Sequence, residues 1–228
     1  MKCKFLKFGV NGDLNEAISL HQSALDLHLV GHSHQSNSLH GLALCLSDWY
    51  DKQGTTVDLE EAITLSQATL ELYSPDQFGH ATTLGNLAIY LRDRFLKFGV
   101  NGDLDEAILL HQLALDLLPA GHSDQLRSLN QLTSCFSSRF EKPKAAADLD
   151  ELISLHRTIL DLCPAYHSYQ LRSLNQLANC LSSRFEKLEA AADLNELISI
   201  HRTLLDLHPV DHSRRLRSIN QLVNCLSS

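Results

Sequence analysis

Arg127, Asn130, Ser134 and Ser137 follow one another at intervals of three, four and three residues, and the same spacing returns at Arg172, Asn175, Asn179, Ser182 and at Arg217, Asn220, Asn224, Ser227. On a helix this spacing gathers each set onto one face. A guanidinium forks onto a carboxylate, and an asparagine amide both donates and accepts, so three such stripes suit an extended or helical peptide that carries acidic residues. The chemistry is recognition, with no bond broken. Arg127, Asn130, Ser134, Arg172, Asn175, Asn179, Arg217, Asn220 and Asn224 are therefore the expected partner-binding residues. The plainer alternative is that they form the solvated side of each helix, and the ordered triplication favours a binding surface. The matching positions earlier in the chain hold Asn37/His40/Leu44/Ser47 and Thr82/Gly85/Ile89/Arg92, which confines the Arg/Asn pattern to the C-terminal half.

Other chemistry-bearing residues offer less. His21, His111, His156 and His201 occur one per repeat inside an amphipathic helix, which points to packing. His28, His32 and His34 share one loop and His208/His212 form another His-x-x-x-His, but no accompanying glutamate or cysteine set completes a zinc pattern, so no metal and no cofactor is expected. Cys45, Cys135, Cys180 and Cys225 occupy one position of the repeat, with Tyr90 standing there in the remaining copy, as small packing residues do. A Cys45–His40 catalytic pair would face opposite ways on one helix. The sequence has no Gly-x-Ser-x-Gly elbow, no phosphate-cradling Gly-Lys-Ser/Thr loop and no Cys-x-x-Cys. An enzyme is not expected.

The elements that must hold these residues are written five times. Asp13, Asp58, Asp103, Asp148 and Asp193 lie 45 residues apart, and a fixed period of this size signals stacked helical units. In the copy opened by Asp103, Leu104, Ala107, Ile108, His111, Ala114, Leu115 and Leu118 recur at helical spacing and make one apolar face. Aspartate first and glutamate three residues later suggest a capping box, and Pro119, Pro164 and Pro209 close three copies. A second, longer helix precedes each later aspartate, with Leu84/Leu87/Ala88/Leu91 and its counterparts up to Ile219/Leu222/Val223/Leu226 expected to be buried. An aromatic recurs late in that helix, from Phe5 and Tyr50 to Phe185, and Gly99 and Gly102 turn one such helix into the next aspartate.

With 228 residues the repeats account for nearly the whole chain, read here as one elongated all-α array over residues 1–228. The net charge of −8 is uneven: residues 1–119 hold 7 Lys/Arg against 15 Asp/Glu, and the remainder 12 against 12. Such a first half is unsuited to nucleic acid. No apolar run approaches the ~20 residues that span a bilayer, and the N-terminus lacks a secretory core, so a cytoplasmic setting with neither membrane nor nucleic acid as partner is expected.

The pattern resembles tetratricopeptide repeats, helix pairs of about 34 residues with a Trp/Leu/Gly/Tyr face on the first helix and an Ala/Phe/Ala/Pro face on the second. Leu84, Leu87, Ala88 and Leu91 stand in the first spacing, and Ala107, His111, Ala114 and Pro119 in the second. The wording GHSDQLRSLNQL is similar to the longer, kinesin-light-chain type, and to arrays that precede caspase-like (CHAT) domains. The resemblance implies a right-handed superhelical solenoid of antiparallel helix pairs, with the first helix of each pair lining the concave groove, and a non-enzymatic protein-interaction scaffold. The later repeats depart from it, placing Leu152/Ile159 and Leu197/Leu204 where small residues are usual; these should push the paired helices apart. The chain starts and ends within helix patterns. That suggests either a fragment of a larger multidomain repeat protein, whose activity resides in a missing domain, or end-to-end self-association through uncovered faces.

Overall fold

The computed structural model describes residues 10–27, 33–73, 78–100, 102–119, 121–140, 146–163, 168–189, 191–207 and 213–227. Every regular element among them is an α-helix: α1 (Val10–Leu27), α2 (Ser33–Gln53), α3 (Thr56–Leu72), α4 (Phe78–Phe98), α5 (Asp103–Leu117), α6 (Ser123–Phe140), α7 (Ala146–Leu162), α8 (Ser168–Leu188), α9 (Ala191–Leu207) and α10 (Ser213–Ser227). The chain forms two compact units, Met1–His122 and Ser123–Ser228. Within each unit every helix packs against its neighbours in sequence. No helix is long and apolar enough to cross a membrane among the described residues.

The first unit stacks α1 to α5. Short connections such as Gly54–Thr55 leave no length for a crossover, so successive helices run antiparallel. Leu84, Leu87, Ala88 and Leu91 of α4 are buried, as are Leu104, Ala107 and Ile108 of α5, and each such leucine contributes about 2 kcal/mol on leaving water. Gly41 of α2 lies against the His21 ring of α1, where a side chain would collide: a Cβ built there lies 2.3 Å from Cε1.

The second unit stacks α6 to α10. Its core joins Leu149 and Ile153 of α7, Leu177 and Leu181 of α8, and Leu197 and Leu204 of α9. Leu152, Ile159, Leu197 and Leu204 are fully buried, as Ala62, Ala107 and Ala114 are in the first unit. The second unit thus buries branched aliphatic side chains at positions where the first unit buries alanines.

Two expectations are corrected. The repeated aspartates do not cap their helices: Asp58, Asp148 and Asp193 lie at the third helical residue, and the N-caps Thr55 and Gly102 make no side-chain cap bond. A carboxylate inside the first turn still suits the helix dipole, but its hydrogen bonds go elsewhere. The apolar stripe expected to be buried in every long helix is exposed in α10 at Ile219, Val223 and Leu226, where among the described residues α9 is the helix that packs on it. Pro164 and Pro209 lie outside the described residues. α7 and α9 end two residues before them, and α5 likewise ends before Pro119.

The turns after α2, α4 and α8 use one device. At Gly54, Gly99 and Glu189 the backbone enters the left-handed region (φ 70°, 68° and 51°), and the amide there donates to the carbonyl four residues back, Tyr50, Phe95 and Phe185. Glycine adopts this conformation without strain, so the first two copies carry the favoured residue and the last does not.

Candidate peptide-binding surface

Helix α6 carries Arg127, Asn130 and Ser134, α8 carries Arg172, Asn175 and Asn179, and α10 carries Arg217, Asn220 and Asn224, all in the second unit. The stripes are not uniform. Arg127, Arg172 and Arg217 are exposed, as are Asn179, Asn220 and Asn224. Asn130 is buried and Asn175 half-buried, and their Nδ2 groups donate to Leu126 O at 2.7 Å and Leu171 O at 2.6 Å. The Ser134 hydroxyl donates to Asn130 O at 2.9 Å, and that of Ser137 to Thr133 O at 2.8 Å. A side chain bonded back to its own helix is held in place and has less to offer a ligand. The surface thus consists of an outer row of arginines and C-terminal asparagines over an inner row anchored to the helices.

Arg172 also faces inward chemistry. His156 of α7 is almost fully buried, its Nδ1 has no hydrogen-bond partner within the chain, and burial reinforced by the nearby Arg172 cation lowers its pKa to about 4. His201 of α9 is lowered by burial as well. These histidines are packing residues, neutral at physiological pH. The histidines of the loops, His28, His32, His208 and His212, lie outside the described residues, as does the side chain of His34. No three His, Cys, Asp or Glu side chains converge as a metal site would require, among the described residues.

Cys45, Cys135, Cys163, Cys180 and Cys225 are free thiols. Cys135 is buried beside Phe136, and burial pushes the Cys180 thiol up to about 11 and raises Cys163 and Cys225. Thiols held protonated in this way are poor nucleophiles at neutral pH.

Sequence reasoning missed the residues that tie the helices in register. Arg94 forks onto Asp103, Nε to Oδ2 at 2.7 Å and Nη2 to Oδ1 at 2.8 Å, and its Nη1 reaches Glu60 at 2.7 Å. Arg139 forks onto Asp148 through Nε and Nη2. Arg184 forks onto Asp193, at 2.9 and 2.6 Å, and its Nη1 bonds Asp150 at 2.7 Å. One arginine near the end of a long helix thereby holds the start of the next helix and, in the Arg94 and Arg184 copies, the start of the one before. The signal was present as Arg and Asp nine residues apart, repeated every 45. In the earlier copy Trp49 replaces the arginine, and Asp58 Oδ2 is left buried without a partner, its carboxyl raised by desolvation.

No family model matches the chain, and no curated protein matches its sequence. Solved structures do match. One is a putative kinesin light chain of Podosopora anserina with nearly identical TPR-like repeats, 19% identical over 85% of this chain and 89% of that one, at a TM-score of 0.57. Another is BtubC (BKLC) from P. vanneervenii, 18% identical over 88% and 78% of the two chains, at 0.58. MamA is 13% identical over 95% and 89%, at 0.53. The fold of this chain is that of the tetratricopeptide-repeat solenoids, kinesin-light-chain-like arrays among them, and the resemblance noted in its sequence holds at that level.

Proposed function

From a tetratricopeptide-repeat fold, built to present helix faces to other polypeptides, we propose a non-enzymatic interaction scaffold whose second unit takes an acidic peptide. The observation that supports it is the exposure of Arg127, Arg172 and Arg217 at one register of three helices. Each guanidinium can fork onto a carboxylate, with Asn179, Asn220 and Asn224 bonding the peptide backbone beside it. Asn130, Asn175 and Ser134 belong to the same surface as its anchored inner row. Cysteines that form no disulfide among the described residues fit a reducing, cytoplasmic setting, and the acidic balance of residues 1–119 favours protein over nucleic acid as partner.

The test is titration of fluorescent Asp/Glu-rich peptides against the 228-residue chain and its Arg127→Glu/Arg172→Glu/Arg217→Glu variant. Binding should weaken by roughly tenfold per arginine, about 1.4 kcal/mol each, and fall with added salt. Undiminished binding by the triple variant would remove the reading. A second element of the same proposal is end-to-end association of copies, favoured by the exposed apolar stripe of α10.

A further inference from the structure

Helix α5, in the middle of the chain, turns an apolar stripe outward. Leu109, Leu113 and Leu117 follow one another at intervals of four, on the side opposite the buried Leu104, Ala107, His111 and Ala114. They are 54%, 43% and 40% exposed. The other four copies of this helix carry Ser19, Thr64, Ser154 and Ser199 at the position of Leu109, and Ser23, Ala68, Thr158 and Thr203 at that of Leu113. The hydroxyls of Ser23, Thr64, Thr158 and Thr203 donate to the carbonyl four residues earlier at 2.8, 2.9, 3.0 and 3.1 Å. In those copies this side is finished for water, and in α5 it is not.

The opening is not made by a missing neighbour. α7 packs between α6 and α8, yet its Ser154 and Thr158 are exposed, and α3 packs between α2 and α4 with Thr64 exposed. Packing of neighbours in sequence therefore leaves this side of the aspartate-led helix in water, and each leucine placed there gains about 2 kcal/mol when a partner covers it.

The chemistry of the stripe selects the partner. The backbone in the middle of α5 is closed by its own helical bonds, so an incoming chain finds no backbone partner there and must satisfy itself, as a helix does. A row at intervals of four runs roughly 12 Å along the helix and accepts the matching row of a second helix. Asp105, Glu106 and Asp116 are exposed beside the leucines, and neither α5 nor α3 contains a lysine or arginine. Arg94 of α4, which reaches the start of α5, is engaged with Asp103 and Glu60. A second copy of α5 would set carboxylates against carboxylates, and an anionic lipid surface would meet the same repulsion. A cationic helix is complementary.

We propose that the Leu109–Leu113–Leu117 stripe of α5 docks an amphipathic helix of another protein, with aliphatic residues at intervals of four flanked by lysine or arginine. This surface lies in the first unit and takes a partner of opposite charge to that proposed for the arginine stripes of the second.

The test is a fluorescence titration of the 228-residue chain with a peptide bearing a leucine at every fourth position flanked by lysines, beside a peptide of the same composition in which the leucines form no stripe. The variants are Leu109→Ser/Leu113→Thr, which installs the residues of α7 and α9 and whose fold a circular dichroism melt checks, and Asp116→Lys. The striped peptide should become helical on binding, and each variant should weaken it by roughly tenfold or more. The Arg127→Glu/Arg172→Glu/Arg217→Glu variant should bind it no less tightly than the parent, so the two surfaces stand or fall separately. Equal binding by the parent and the double leucine variant, equal binding of the two peptides, or loss of binding in the triple arginine variant would overturn the proposal. Self-association in sedimentation velocity, or attachment to phosphatidylcholine vesicles, that the double leucine variant abolishes would give the stripe to another occupant and overturn it as well.

Discussion

His156 shows what a residue's surroundings do to its chemistry. An imidazole at this position of the repeat could be a ligand, a base or a space-filler, and burial beside Arg172 makes it the last. Its folded pKa of about 4 lies below the usual 6.5, so below neutrality the unfolded chain takes up a proton that the folded chain refuses. The stability it contributes is complete above pH 6.5 and is lost as pH falls through the window down to about 4. The full loss approaches ~3 kcal/mol. Urea denaturation at a series of pH values should show this slope, and His156→Leu should flatten it relative to the parent. An unchanged slope would mean that the ring is solvated in the native state.

At the scale of helices, the arginine clamps decide register. Asp193 is buried and Arg184 mostly so, and their fork joins the end of α8 to the start of α9 while Nη1 reaches back to Asp150 on α7. Removing the guanidinium strands a buried carboxylate, so Arg184→Ala should cost about 3 kcal/mol in a urea melt. Asp58 has no such partner, since Trp49 stands where the arginine would. Asp58→Asn should accordingly change stability by less than about 1 kcal/mol, whereas Asp193→Asn, which weakens a two-bond ionic fork, should cost more. Equal costs at the two positions would show that the fork adds nothing.

Over the whole molecule, protection should follow coverage. Repeat arrays gain stability from nearest-neighbour interfaces, and a helix with one neighbour has fewer of them than a helix with two. α8 sits between α7 and α9, whereas α10 rests on α9. In hydrogen exchange at low concentration, where copies are apart, amides of α10 should exchange well before those of α8. The reverse order would show that the exposed stripe of α10 is covered in solution by something other than a second copy.

The amino-acid sequence determined the helices and their order. Period, apolar spacing and turn glycines are local, and they put a long helix ahead of each later aspartate, as α4 stands ahead of Asp103 and α8 ahead of Asp193. The burial of Leu152, Ile159, Leu197 and Leu204 likewise follows from their place on the apolar face of α7 and α9. The aspartates were misjudged because a carboxylate at a helix start has a local partner in view, the first-turn amides, while its actual partner reaches it only once two helices are packed. The same holds for Asn130 and Asn175. Spacing put them on the stripe with the arginines, but only the folded helix shows their amides already given to Leu126 and Leu171. Which face of α10 lies open was decided by packing too: periodicity makes α8 and α10 alike, and burial depends on how many neighbours each one has.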